Sequence, residues 1–139
     1  MYLLDTNIVS DVRRARSGKA DQAVLDWIAS VPEQLLFISA VTLFEIELGI
    51  LQVERRDKVQ GAALRSWMEQ GVKAAFQHRV VAINDQIALR CAYYSVPDPR
   101  ELRDAFIGAT AWERGFILVT RNTRHFQGMD IELLNPWST

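Results

Sequence analysis

Tyr2-Leu3-Leu4-Asp5-Thr6-Asn7 sets a short apolar run directly against a carboxylate and two further residues that favour helix starts. An apolar run this brief, without polar alternation, is the pattern of a strand buried on both faces. The segment therefore reads as a strand passing straight into a helix. The same order of apolar run and polar stop returns at Leu35 to Ser39, Val80 to Ile83, Phe116 to Thr120 and Ile131 to Leu134. Between these runs, helical spacing predicts helices over Asn7 to Arg14, Ala20 to Ser30, Val41 to Glu54, Lys58 to Gln77, Asp85 to Tyr94 and Arg103 to Arg114. Pro32 and Pro97 punctuate two of them, and Ser95 to Pro99 reads as a loop. Strands alternating with helices predict an α/β chain, a three-layer α/β/α fold with a short, mainly parallel central sheet.

A length of 139 residues with 49% hydrophobic and 24% charged composition supports one folded domain over residues 1–139 and argues against disorder. No apolar stretch approaches the ~20 residues of a membrane span, and the N-terminus lacks the basic head of a signal peptide. A cytoplasmic place with no membrane partner is expected. The single cysteine, Cys91, excludes an internal disulfide and a cysteine zinc cluster, and its apolar setting suggests a small buried hydrophobe. A net charge of -1 excludes a global positive field of the kind that marks many nucleic-acid binders. Arginines nonetheless keep company with acidic segments: Arg13, Arg14, Arg16 and Lys19 follow the first, Arg100 and Arg103 precede Asp104, and Arg121 and Arg124 flank Asn122. Each alone is an ordinary solvated residue; together they suit phosphates held around an acidic centre.

Four polar groups stand against core-forming sequence: Asp5, Glu45, Asp104 and Asn122. A carboxylate near a core must be paired, protonated or bound to a cation, so three of them far apart in the chain suggest one converging site. Asp5 also suits a plain helix cap, with Thr6 and Asn7 orienting its carboxylate otherwise. Glu45 lies on a helix with Val41, Leu43, Phe44, Ile46, Leu48, Ile50 and Leu51, which predicts that it is buried. Gly49, one turn on, then leaves space beside it for a close backbone or a ligand, while Glu47 points elsewhere as a surface or interface acid. Asp104 opens a helix of small residues, Ala105-Phe106-Ile107-Gly108-Ala109-Thr110-Ala111, where a cap role is the simpler alternative. Asp98, Glu101 and Asp104 lack the spacing and glycine of a calcium loop. Asn122 can offer an oxygen to a metal or its water but cannot act as a base. His125 beside Phe126 suits ordinary packing or a phosphate contact, and His78 has no partner at ligand spacing, so a histidine zinc site or a serine triad has little support.

Taken in order, Leu3-Leu4-Asp5-Thr6-Asn7, Ile38-Ser39-Ala40-Val41-Thr42 with Glu45 and Gly49, Asp104 to Ala111, Leu118 to Phe126 and Leu134-Asn135-Pro136-Trp137 resemble the PIN-domain ribonucleases. The likeness is to the VapC-type toxins of type II toxin-antitoxin pairs, and it spans almost the whole chain. It implies a divalent-metal-dependent endoribonuclease that hydrolyses RNA phosphodiester bonds with a metal-activated water. It also implies a homodimer, or a hetero-oligomer with a small antitoxin inserted into the active-site groove. Asp5, Glu45 and Asp104 fall on the family's three acidic positions, as ligands of Mg2+ or Mn2+. Asn122 completes the catalytic set where many relatives carry a fourth acid.

Two other readings remain open at this level. An aspartate-nucleophile phosphatase also begins with an apolar strand and an acid, but Asn7 stands where its second acid belongs. A non-catalytic interaction domain with a vestigial acidic pocket would keep the fold and bind no metal. Trp27 and Trp67 offer apolar surface for self-association or, equally, for the core.

Overall fold

Tyr2–Leu4 forms β1, the middle strand of a five-stranded sheet among the residues that the computed structural model describes, 1–137. The side chain of Arg16 lies outside the described residues, as do 138–139 of the expected domain. Leu36–Ser39 (β2), Val80–Val81 (β3), Ile117–Val119 (β4) and Leu133–Leu134 (β5) complete it, in the order β3-β2-β1-β4-β5 with every pair parallel. β1 covers the whole apolar run that marked it, and the other four strands fall inside theirs, shorter by one to two residues in all. The helices are Thr6–Arg13 (α1), Gln22–Ser30 (α2), Ala40–Arg56 (α3), Lys58–Ser66 (α4), Asp85–Tyr94 (α5) and Leu102–Arg114 (α6).

Successive residues of β1 point to opposite faces of the sheet and seed two separate cores. Leu3 packs with Ile87 and Cys91 of α5, Ala105, Ile107, Ala109 and Ala111 of α6, and Phe126 and Met129 beyond β4. Leu4 packs with Ile8 and Val9 of α1, Ile46 and Ile50 of α3, and Met68 and Val72 after α4. Both leucines are almost wholly out of water, each worth about 1.5–3 kcal/mol of transfer free energy. Cys91 is buried as expected, and burial pushes its thiol pKa up. The small residues of α6 do permit close approach: a Cβ on Gly108 would collide with the Met129 sulfur. Trp27 meets Tyr2 edge-on at 5.2 Å, and with Trp67 it covers the second core, so both rings serve the interior. No helix among the described residues is long and apolar enough to cross a membrane.

The helix expected from Lys58 to Gln77 is not uniform. After α4 the backbone widens into a π turn over Trp67–Val72 and ends in Lys73–Ala75. Leu64, Met68, Val72 and Phe76 all pack on the second core and recur every four residues. In a regular α-helix such a row drifts by about 40° per step. A wider turn brings Met68 and Val72 back onto one line. Glu47, expected as a surface or interface acid, is engaged by Arg65 of α4 at 2.7 Å, and Arg65 also meets Glu54 at 3.0 Å, so these charges tie α3 to α4.

The strand order reverses at β1. The chain leaves β1 toward β2 on one side and returns to its other side as β4, opening a crevice beyond the carboxyl ends of these two strands. Such reversal points are where ligands bind in parallel α/β sheets.

Candidate active site

Asp5 is the first residue after β1, and its backbone N–H donates to the Val119 carbonyl at 2.9 Å, which holds it at the β1–β4 seam. Because Leu4 is paired with Val119, the next residues, Asp5 and Thr120, lie side by side. The Thr120 hydroxyl donates to Asp5 Oδ2 at 2.8 Å, and the Thr6 amide donates to Oδ1 at 2.8 Å. Asp5 is thus both the cap of α1 and a buried carboxylate, only 6% exposed. Burial pushes its pKa up to about 6; the two hydrogen bonds oppose this, and the negative charges of Asp104 and Glu45 add to it.

Glu45 stands one turn and a half into α3, where Ser39 caps the helix by accepting from the Val41 amide. Its Oε1 accepts from the Thr6 hydroxyl at 2.7 Å, and that hydroxyl lies 3.2 Å from the hydroxyl of Thr42. Oε2 faces the Arg103 guanidinium at 3.8 Å. The expectation of a buried Glu45 is corrected: its side chain is 24% exposed, because Phe44 and Leu51 turn outward rather than closing the helix circumference. Around Gly49 the space is open, with no backbone within 4 Å of where a Cβ would stand.

Asp104 does not cap α6. Glu101 does, accepting from the Asp104 amide at 2.9 Å, which leaves the Asp104 carboxylate in the first turn and free to face the crevice side of the helix. There Oδ2 meets His125 Nδ1 at 3.2 Å. Burial raises the Asp104 pKa, Glu101 and Glu45 raise it further, and His125 lowers it. His125 is therefore an acid's partner, while Phe126 next to it fills the core. Arg100 holds the carbonyls of His125 and Gln127 at 3.3 and 2.7 Å and so fixes the 3-10 turn Thr123–Phe126.

Asn122 is exposed just past β4. Its backbone N–H donates to Thr120 Oγ1 at 3.0 Å and its carbonyl accepts from the His125 amide at 3.0 Å. One hydroxyl, that of Thr120, therefore joins the Asn122 turn to Asp5. A recess of about 530 Å³ is lined by Arg121, Asn122, Thr123, Arg124 and His125, and a second of about 320 Å³ by Arg100, Glu101, Asp104 and His125. Arg13 lies elsewhere, over the Trp67 ring at 5.7 Å, and Arg14 pairs with Asp11 at 3.5 Å. An apolar recess of about 440 Å³ lies on the second-core side, among Ile8, Val12, Trp67 and Phe76, apart from the three acids.

The structure thus brings Asp5, Glu45 and Asp104 within electrostatic reach of one another, with Asn122 on the adjoining turn. Among the described residues, no three acid, histidine or cysteine side chains lie close enough to grip an ion as they stand. The donor set nevertheless fits a hard divalent cation: oxygen ligands only, three negative charges, and a desolvated Asp5 whose hydrogen bonds come from neutral groups. Asn7 Oδ1, one position into the first turn of α1, is a buried acceptor with no hydrogen-bond donor. The contacts of Thr120 with Asp5 and of His125 with Asp104 were the hardest features of the candidate centre to read from sequence, the first because its partner lies 115 residues away.

Comparison with known proteins places these features in company. A family model described as PIN domain matches residues 2–131. The toxin FitB of Neisseria gonorrhoeae is 28% identical over 142 residues, covering 99% of each chain. The VapC ribonuclease Y4jK of Sinorhizobium fredii is 29% identical, covering 99% of this chain and 98% of the relative. The crystal structure of FitAcB from Neisseria gonorrhoeae superimposes with a TM-score of 0.88 at 26% identity, covering 100% of both chains.

Proposed function

The chain belongs to the PIN-domain family, and from that premise we propose that it is an endoribonuclease toxin whose centre is Asp5, Glu45 and Asp104. The observation that carries the reading is the buried Asp5 carboxylate at the β1–β4 reversal, raised by burial and by two neighbouring acids. Such an arrangement is costly to the fold and is explained by a cation among the three. Asp5, Asp104 and Glu45 would hold Mg2+ or Mn2+, and a divalent ion bound there would supply an acidified water and a Lewis acid for a phosphodiester oxygen.

The chain's own groups do the rest. Thr6 and Thr120 hold both Asp5 oxygens in fixed directions, and Thr6 also holds Glu45. Glu45, more open to solvent than Asp5, is the acid placed to orient an attacking water. His125 keeps Asp104 turned to the crevice. Asn122 holds a water at its edge, and Arg121 and Arg124 line the recess where flanking phosphates lie. An aspartyl nucleophile is disfavoured, since both Asp5 oxygens accept hydrogen bonds and the group is buried.

Relatives named as a toxin and as a VapC ribonuclease support the toxin reading, and with it goes a cytoplasmic role beside a small antitoxin, in a homodimer or a complex with that partner. The test is RNA cleavage by the purified protein with Mg2+, Mn2+ or chelator, alongside Asp5→Asn and Asp104→Asn. Both variants should fold and lose cleavage by at least about 100-fold. Wild-type-like cleavage by either variant, or full cleavage in chelator, overturns the proposed centre.

A further inference from the structure

Phe44 is 53% exposed, an unusual place for a phenyl ring on a helix whose neighbours Thr42 and Ile46 are buried. It adjoins Glu45 in the chain. The guanidinium of Arg103, from α6, lies 5.1 Å from the ring centroid and reaches Glu45 Oε2 at 3.8 Å with a neighbouring nitrogen. Arg103 is itself 44% exposed, so ring and guanidinium form one open lip on the acidic centre, at the seam of α3 and α6. The arginine stacks of Arg13 on Trp67 and Arg121 on Trp137 differ, because those rings are partly buried against the second core.

We infer that Phe44, with Arg103, is a stacking platform for an unpaired nucleobase next to the scissile phosphate, and so determines which RNA is cut. This rests on the ribonuclease reading and adds to it the form of the substrate. A single nucleotide step carries both a flat π-face and a phosphate, and the lip offers the matching pair: an apolar ring with a planar cation, beside carboxylates that handle the phosphate. In a duplex the base faces are already stacked, so only an unpaired nucleotide can use the ring. A phenyl ring has no hydrogen-bonding group, so selection follows stacking strength, with purines favoured over pyrimidines and no reading of base edges. Arg103 keeps the ring oriented and offsets the charge of Glu45 as the phosphate arrives.

The test uses a short, unpaired oligouridine with one adenine stepped along its length, and the same series with the adenine replaced by an abasic site. Wild type, Phe44→Ala and Phe44→Trp are compared for kcat/KM with Mg2+, and for binding in an Asp5→Asn background, which does not depend on cleavage. With adenine at one position beside the cut, Phe44→Ala should lose about 5- to 100-fold, and Phe44→Trp should retain activity. The abasic site at that position should cost wild type as much and Phe44→Ala nothing further. Equal losses by Phe44→Ala on adenine and abasic substrates overturn the proposal, as does no loss on either. A change in oligomeric mass on Phe44→Ala also overturns it, because the ring then serves a second copy of the chain. If no RNA is cleaved by wild type yet binding shows the adenine-dependent loss, the ribonuclease reading fails and the platform stands; if binding shows no such loss, the platform fails as well.

Discussion

Replacing Asp5 by asparagine should make the metal-free protein more stable at neutral pH, although it removes a residue of the active centre. In the fold the Asp5 carboxyl is raised from 3.8 to about 6, chiefly by burial. The folded state therefore holds this proton more tightly than the unfolded chain does. Stability from the group is fully present below about pH 4 and is lost as pH rises through about 6. At about 1.4 kcal/mol per unit, a shift of about two units costs the ionised form up to ~3 kcal/mol at neutral pH. Asparagine has the same shape and avoids that cost. Its oxygen can accept from the Thr6 amide, and its nitrogen can donate to Thr120 once that hydroxyl turns round. For a chain of this size the gain corresponds to about 5–10 °C in melting temperature. Thermal unfolding in chelator near pH 7.5 and near pH 4 measures it: the variant should gain at the first pH and match wild type at the second. Mg2+ should raise the wild-type midpoint and leave the variant nearly unmoved. No gain at neutral pH, or the same gain at both, refutes the argument from burial.

Thr120→Val removes the hydroxyl shared by Asp5 and the Asn122 amide, and should cost about 1–3 kcal/mol in chemical denaturation. It also removes a donor to the ionised Asp5, so the acidic limb of a cleavage profile should move to higher pH. His125→Ala releases Asp104 from its partner, and isothermal titration should show weaker Mn2+ binding, by about 10-fold, with the melting temperature little changed. Gly108→Ala should destabilise by about 1–3 kcal/mol through collision with the Met129 sulfur, and Met129→Ala in the same chain should relieve part of that loss; a neutral Gly108→Ala would sink the account of close packing in α6.

Most of the layer order was legible because each short strand is apolar on both faces and ends on a polar residue that starts the next turn or helix. Asp5, Glu45 and Asp104 were legible as candidates for a related reason: each sets a charge against residues that form the core. Thr120 was not, since a threonine at a strand end is ordinary until the register of β1 with β4 puts it beside Asp5. A cap role was the simpler alternative for Asp104, but Glu101 accepts that amide, and sequence does not show which of two acids three residues apart closes the helix end. The exposure of Glu45 was misjudged because apolar periodicity does not reveal that Phe44 and Leu51 stay about half exposed on their side of α3. The π turn after α4 follows from a four-residue apolar repeat, a longer period than an α-helix keeps in line.

The reversal of strand order at β1 also bears on how the protein is made. Asp5 and Glu45 leave the ribosome early, whereas Asp104 and Thr120 belong to the last third of the chain. Until that portion emerges, β1 has β2 on one side and an open edge on the other, and Asp5 lacks the hydroxyl that aims it. Synthesis from the N-terminus at about 5–20 residues per second thus leaves Asp5 without its Thr120 partner for several seconds after β1 and β2 have emerged. The three acids of the proposed centre come together only once β4 and the turn after it have joined the sheet.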